Sequence, residues 1–562
     1  MNEGKDYMNS QASKQVYSDM ALSQVPRLLT CLDRSISSPA FGCFHRDYWL
    51  YKTSDFPDAV RQFGVISLAL VYRFDFSGNR YFRQPRIREW AVAAMMYCTR
   101  IQHHDGTFDE FYPYERGWSG PTAFVTYALA ESYLLLADEI AAGEAGKILE
   151  CLRKASRALA KGDRENDLLA NHHAMACLAL WKAYRVLQED SILQAYEKQW
   201  QSFLSYHHAS EGWSLEYDGP DPGYLSATIS FLAKIYKDNE SAAIREVLDN
   251  SISFASHFVY PDGSFGGLAG SRNTQHFYPH GFELAGRNNP LASAVAQKML
   301  RSLANGNLVP PAIMSDRYVF YRVPELLLSA IDTSERPANL PGLPYELDGY
   351  HHLFHECGIY VRSSENLYLV SNLVKGGMIQ AFDRREGTLF LQDAGIIMEI
   401  NGARSVTTQW TDKKFTYTAG VDSWKVNGAF HTIPQHQLFN PWKLVLFRLF
   451  SLLFAWSPCF SHRMKGAIRK WLILSKKGRA GVFERNFEWE ADRLVITDEI
   501  RLRRKLKVKR LVIGGDFFTR YVPQSRFFQP GELKDFSWIA PQEELDRLNA
   551  GLHFYKTREY KF

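Results

Sequence analysis

A chain of 562 residues with 46% hydrophobic and 23% charged side chains has the composition of an ordinary globular protein, long enough for roughly two to four domains. Its net charge of +5 is small for this size and argues against a nucleic-acid-binding protein. The seven cysteines are scattered, with no CxxC or Cys/His spacing for zinc, and fit a reducing compartment.

The polar N-terminus, "MNEGKDYMNSQASKQ", lacks the apolar core of a signal peptide, and no run reaches the ~20 apolar residues that span a bilayer. The expectation is a cytoplasmic chain without a transmembrane helix.

From residue 14 to about 310 the chain reads as helices. "AVRQFGVISLALVYRF", "IREWAVAAMMYCTRIQ", "PTAFVTYALAESYLLLADEI", "AGKILECLRKASRALAKG" and "HHAMACLALWKAYRVLQ" all place apolar residues at helical spacing. Between alternate helices lie polar, aromatic loops: "FHRDYWLYKTSDFP" from Phe44, "HHDGTFDEFYPYERGW" from His103, "DRENDLLANHH" from Asp163, "EGWSLEYDGPDPGY" from Glu211 and "DGSFGGLAGSRNTQHFYPHGFE" from Asp262. They recur at roughly fifty-residue intervals, about one helical hairpin each. If each hairpin runs up and down, every second loop falls at the same end, and the five converge on one rim of a toroid. Their density of Asn, His, Arg, Tyr, Trp and carboxylates suggests a binding cleft.

The pattern changes at "PANLPGLPYE", a proline-rich linker. Strand-like runs follow: "CGIYVRSS", "NLYLVSNLV", "GTLFLQDAGIIMEI", "DRLVITDEIRL" and "KVKRLVIGGDFFTRYV". The expected fold class is multidomain α + β. An N-terminal (α/α) toroid over 1–335 and a linker over 336–346 precede an antiparallel β-sandwich over 347–562, interrupted by an insertion at 440–478.

Candidate chemistry sits in the toroid loops. Asn171, His172 and His173 stand at a helix start, where Asn171 is also what an N-cap requires. Adjacent histidines point to different faces of a helix, so at most one enters the cleft. Tyr217, Asp221 and Tyr224 precede the next helix. Arg272, Asn273, His276, His280 and Glu283 crowd within twelve residues, and Tyr112, Glu115 and Trp118 come from the second loop.

Asn, His, Tyr and Arg without a nucleophile motif fit proton abstraction at C5 of a uronic acid. An Asn, a protonated His or an Arg binds the neighbouring carboxylate and favours the enolate-like state. A Tyr or His takes the proton. Protonating the leaving glycosidic oxygen then gives β-elimination, and returning a proton to the opposite face gives C5 epimerisation. A hydrolase would need two opposed carboxylates, for which Asp109, Glu110, Glu115, Asp218, Asp221 and Glu283 are the candidates.

On "NHHAMA", "DPGYLSAT", "LFHECGIYVRSS", "LYLVSNLVKGG" and "LFLQDAGI", the chain resembles the heparinase II/III-like proteins, a polysaccharide-lyase superfamily that combines an (α/α) toroid with a β-sandwich. The resemblance covers most of the chain. It implies carbon–oxygen lyase or uronyl epimerase activity on an acidic polysaccharide. Asn171 with His172 or His173 would neutralise the uronate, and Tyr224 would act as acid or base. It also implies a sandwich histidine. The matching stretch "KGGMIQAFDRREGTLFLQDAGI" keeps "QDAG" but has no histidine, while His351, His352 and His355 lie earlier. That departure leaves a non-catalytic glycan-binding protein as the rival. No cofactor and no metal are expected.

The insertion "NPWKLVLFRLFSLLFAWSPCFSHRMKGAIRKWLILSKKG" has no Asp or Glu and eight Lys or Arg among aromatics. Split by Pro458, it forms two short amphipathic helices suited to an anionic membrane interface, or to packing on the sandwich or a second subunit. "RLRRKLKVKR" (Arg501–Arg510) reads as a strand with one basic face. Together these suggest surface-polysaccharide biosynthesis at the inner membrane face, on a lipid-linked glycan.

Overall fold

The computed structural model describes residues 10–162, 169–333, 335–400, 404–433, 440–469, 480–503, 506–515, 528 and 533–562. The N-terminal part is helical: α1 (Ser10–Leu22), α2 (Val25–Cys31), α3 (Arg46–Trp49), α4 (Gly64–Arg73), α5 (Pro85–Ile101), α6 (Ser119–Leu136), α7 (Ala142–Lys161), α8 (Ala170–Leu187), α9 (Asp190–Leu204), α10 (Pro222–Asn239), α11 (Ala242–Ser256), α12 (His280–Ala285), α13 (Pro290–Ala304) and α14 (Asp316–Asp332). A short ribbon, β1 (His207–His208) and β2 (Trp213–Ser214), lies between α9 and α10.

Helices α4, α6, α8, α10, α12 and α14 pack side by side, and α14 returns to α4, closing an inner ring. Helices α5, α7, α9, α11 and α13 form an outer layer, each against the inner helix before it. Sequence decides which helix goes where. The inner helices are buried on nearly every side: α4 is buried from Gly64 to Tyr72 and α10 from Leu225 to Ile235. The outer α7 buries only Ile148, Cys151, Leu152, Ala155, Ser156 and Leu159, one stripe at helical spacing. Because each outer helix carries the chain back, the inner helices all run the same way. Their N-termini therefore share one rim.

After a 3₁₀ turn at Pro344–Glu346 the chain becomes antiparallel sheet. Strands β3 (His351–Phe354), β4 (Ile359–Ser363), β5 (Leu367–Asn372), β6 (Met378–Asp383) and β7 (Thr388–Asp393) pair in chain order. Next come β8 (Ile396–Ile400), β9 (Arg404–Thr407), β10 (Thr416–Ala419), β11 (Ser423–Ala429) and β12 (His431–Thr432), then helices α15 (Pro441–Phe454) and α16 (Pro458–Arg469). The chain ends with β13 (Gly481–Trp489), β14 (Arg493–Leu502), β15 (Val508–Ile513), β16 (Trp538–Ile539), α17 (Gln542–Gly551) and β17 (His553–Lys561). A second sheet has the order β10-β11-β13-β14-β17 and a third β12-β9-β8-β15-β16. This is the multidomain α + β architecture the sequence indicates.

The first sheet is the layer between the two halves. Ile359, Val361, Tyr368, Val370, Met378 and Phe382 join the core of the helices. The alternating Tyr360, Leu367, Leu369, Ile379 and Ala381 join the sandwich core. Burial on both faces explains why "IYVRS" and "LYLVSN" read as continuous apolar runs. The "QDAG" turn has a structural role. Asp393 accepts from Arg485 and Arg558, 2.7 Å each, and Asp498 accepts from the same two arginines at 2.6 and 2.8 Å. Arg485, Asp393 and Asp498 are fully buried.

Two expectations need correction. "RLRRKLKVKR" is not one strand: β14 ends at Leu502 in the second sheet and β15 begins at Val508 in the third, so the two ends of the run belong to different sheets. Residues 504–505 lie outside the described residues. The insertion packs on the toroid. Arg448 pairs with Asp55 at 3.0 Å, Phe447 meets Tyr112 edge-on at 5.4 Å, and Arg116 donates to the Trp456 carbonyl at 3.5 Å. Its residues 470–478 lie outside the described residues.

Candidate functional site

The loops that precede α4, α6, α10 and α12 hold the polar clusters named from sequence, and they meet at the rim formed by the inner-helix N-termini. That end of a helix carries partial positive charge and free N–H groups. The loop at 163–168 lies outside the described residues.

One group of side chains converges there. Asn171, at the start of α8, donates its backbone N–H and its side-chain Nδ2 to the two oxygens of Glu216, both at 2.7 Å. Glu216 is buried, and that burial pushes its carboxyl well above the usual range, against the pull of the Asn171 hydrogen bonds. The next residue, Tyr217, has φ +67, a left-handed backbone that a bulky side chain rarely adopts. Arg272 stacks over the Tyr217 ring at 4.4 Å. Strained backbone of this kind clusters at functional sites.

Tyr224 stands in the first turn of α10, partly buried, with His276 edge-on at 5.3 Å. Burial first, then the neighbouring Tyr318, push its hydroxyl well above the usual phenol range, while Arg272 pulls it down. Tyr224 is therefore a phenol at neutral pH. His276 is buried between Tyr224 and Tyr278, and burial, aided by Arg322, lowers it to about 3. His276 is neutral.

Of the adjacent histidines, only His172 faces this side. Its ring lies 6.3 Å from Trp118 and 6.1 Å from Phe124. A Cβ on Gly120 would come within 2.9 Å of His172 Nδ1, so the close approach requires glycine. His173 turns to the outer layer, where Nδ1 is 2.7 Å from Gln199 and the ring stacks on Tyr206 at 4.8 Å. The periodicity of α8 accounts for the split.

Other residues named from sequence hold the scaffold together. Asp221 caps α10 through the Tyr224 N–H at 3.2 Å and also accepts from Thr274 Oγ1 and the Arg272 N–H. Glu115 accepts the N–H groups of Glu110 and Phe111, 2.9 Å each, and shapes its own loop. Glu283 is buried between the Tyr17 hydroxyl, at 2.8 Å, and Arg336. His280 lies 2.8 Å from Asp332, which also accepts from Lys237 and Arg287. Burial and the nearby Lys234 lower the His280 pKa and keep it neutral. His280 and Glu283 thus serve ion clusters behind α12 rather than the rim. Tyr112 is covered by Phe447 of the insertion, and Trp118 packs against Phe111 at 5.6 Å. Asn273, at φ +57, receives Lys375. Five of the six carboxylates a hydrolase would draw on are engaged in the scaffold: Glu115, Asp221 and Glu283 as above, Glu110 with Arg317, and Asp109 at 2.8 Å from His103.

Several contributors escape sequence reasoning. "DRYVFYR" of α14 sets Arg317, Tyr318, Tyr321 and Arg322 along the ring, with Tyr321 5.1 Å from Phe124 and Arg322 over Tyr278 at 4.5 Å. Aromatic and basic residues at helical spacing are the signal that could have found them. From the sandwich, Lys375 Nζ donates to the Leu268 and Gly270 carbonyls, 2.7 Å each, and to Asn273, fixing the loop that bears Arg272. Thr411 lies 3.3 Å from where a Gly219 Cβ would stand, and the next residue, Asp412, is 2.8 Å from His431 Nε2. His431 is thus a buried histidine of the sandwich, outside the stretch the resemblance pointed to, and its ring stacks on Phe415 at 5.8 Å. His351 and His352 lie on the exposed edge strand β3. Among the described residues no group of three His, Cys, Asp or Glu is placed to hold a metal ion.

Comparison with solved structures bears on this geometry. The structure matches xanthan lyase of Paenibacillus with a TM-score of 0.53 at 10% identity, covering 91% of this chain and 47% of that one. It matches the chondroitin AC lyase of Streptomyces coelicolor A3, solved in complex with chondroitin sulphate, with a TM-score of 0.53 at 9% identity, over 91% and 68% of the two chains. The chain shares the fold of these two solved structures. A weaker likeness, TM-score 0.41 at 12% identity over 89% and 70% of the chains, is to heparan sulfate lyase HepC from Pedobacter heparinus. The chain spans about half the length of the xanthan lyase. No family model matches the sequence, and no curated protein matches it. In this fold the candidate site lies at the rim of the toroid facing the sandwich.

Proposed function

We propose that this chain is a heparinase II/III-like carbon–oxygen lyase acting on a uronate-containing polysaccharide. The observation that carries the reading is the convergence of Asn171, His172, Tyr217, Tyr224 and Arg272 on one rim of inner-helix N-termini. Asn171, oriented by Glu216, and Arg272 bind the uronate carboxylate and favour the enolate-like state at C5. His172 and Tyr224 carry the proton transfers, with Tyr224 as acid because it starts protonated. The C5 proton is taken by the base, the C4–O bond breaks, the leaving oxygen receives a proton, and a C4–C5 double bond remains. That both better-matched solved structures are named as lyases supports the reading.

If the proton returns to the opposite face and no bond breaks, the same residues make a uronyl C5 epimerase. The rival class is a non-catalytic glycan-binding protein, favoured by the full engagement of Glu216 with Asn171. The finer reading is surface-polysaccharide metabolism on a lipid-linked glycan at the inner membrane face. The test is incubation with a panel of uronate glycans. Unsaturated chain ends with the wild type, and their loss in Tyr224→Phe, support the lyase. Binding without new ends or C5 exchange supports the binder.

A further inference from the structure

The insertion remains unabsorbed by the site. One side of it is anchored: Phe447 and Met464 close over Tyr112, and Arg448 pairs with Asp55 beside Phe56. The other side of α15 is bare. Trp442 is 76% exposed, Leu446 66%, Leu453 60% and Trp456, just past the helix, 58%, with Val445, Leu449 and Leu452 also exposed. Such a contiguous apolar face is not a feature of a free surface.

What covers it follows from charge and length. The sequence from Asn440 to Gly478 carries eight Lys or Arg and no acidic residue, so two copies meeting through this arm would set like charge against like charge. Interface cores also exclude Lys and favour few charges. An anionic bilayer supplies both an apolar layer and the missing negative charge. The 14-residue α15 is about 21 Å long, short of the ~30 Å hydrocarbon core, and no helix among the described residues is long and apolar enough to cross a membrane. The geometry fits a helix lying in the interface plane.

We propose that α15 and α16 form a membrane-docking arm for an anionic lipid surface. The arm grips the loops that precede α4 and α6, so docking sets the toroid rim beside the bilayer. This goes beyond the lyase reading and does not depend on it.

The test is co-sedimentation of the full chain with vesicles of phosphatidylcholine alone or mixed with phosphatidylglycerol. Binding to the mixed vesicles at least about tenfold above the neutral ones, weakened by salt, is expected. The double variant Leu446→Asp/Leu453→Asp, at exposed positions that leave the Arg448–Asp55 anchor intact, is expected to lose about tenfold or more while its melting temperature holds. Three outcomes would overturn the proposal. One is no binding to the mixed vesicles. Another is binding unchanged in the double variant. The third is a dimer in light scattering that the variant dissolves while vesicle binding is absent, which would assign the face to a second copy. Activity on soluble glycan is read separately, so the two readings fail independently.

Discussion

The toroid and the sandwich differ in the titratable groups they bury. In the sandwich, Arg485, Arg558, Asp393 and Asp498 form a closed cluster in which both arginines bridge both carboxylates. The toroid also buries ion pairs, Lys234 with Glu325 and Arg336 with Glu283, but it adds buried histidines held neutral: burial lowers His45 and His276 to about 3 and His207 and His257 to about 4. A closed ion cluster does one job, which is to fix geometry. On the lyase reading proposed above, the toroid rim carries the chemistry and the sandwich supports it.

The largest expected effect separates the two halves. Tyr224→Phe keeps the ring against His276 and removes only the hydroxyl, so turnover falls by about 10²–10⁴-fold with stability close to wild type. A matching loss of stability would move Tyr224 from chemistry to scaffold. Arg485→Met should do the reverse. It leaves Arg558 alone against two buried carboxylates and costs about 3–5 kcal/mol in denaturant unfolding, with little change in substrate affinity among molecules that remain folded.

Lys375→Met probes the joint between the halves. It leaves the Leu268 and Gly270 carbonyls without their donor, a cost of about 1–3 kcal/mol, and loosens the loop that carries Arg272. A fall in turnover together with a rise in KM is expected. An effect on stability alone would mean that the sandwich does not support the site.

The smallest effect is in pH. An unfolded histidine titrates near ~6.5. The four toroid histidines titrate lower when folded, so between these values the unfolded chain binds more protons. Their contribution is complete above about pH 6.5 and falls as pH drops, by up to ~1.4 kcal/mol per unit for each histidine. In the sandwich, burial works against the Asp393 charge, but Arg485 and Arg558 outweigh it and hold the carboxyl below its usual range. Its contribution is therefore present above about pH 4 and lost below. Hydrogen exchange between pH 6.5 and 4.5 should show the toroid losing protection first. Equal loss in both halves would contradict this.

The helices were legible because burial on one stripe or on all sides leaves a periodic mark, and the rim loops were legible because polar, aromatic residues recur once per hairpin. Within those loops, composition could not separate a rim residue from a buried ion-pair member. His280 and Glu283 stand beside His276 in sequence, yet their partners Asp332 and Arg336 come from the end of α14 and from the linker. The sandwich contribution was the least legible part. Lys375 and Asn273 are 102 residues apart, and His431 meets Asp412 only because β12 pairs with β9. Neither contact leaves a spacing that can be read along the chain. The insertion was legible as an amphipathic, basic segment, but its anchor on Asp55 and Tyr112 required the fold.

The central claim is that the rim handles a proton at C5 of a uronate. It is tested most directly by incubating the protein with uronate glycans in deuterated water and measuring deuterium at C5 alongside unsaturated ends. Unsaturated ends in the wild type, absent in Tyr224→Phe, are the predicted result. Deuterium at C5 without cleavage would turn the lyase into an epimerase. No deuterium and no cleavage on any glycan, with glycan binding intact in both Asn171→Ala and Tyr224→Phe, would contradict the claim.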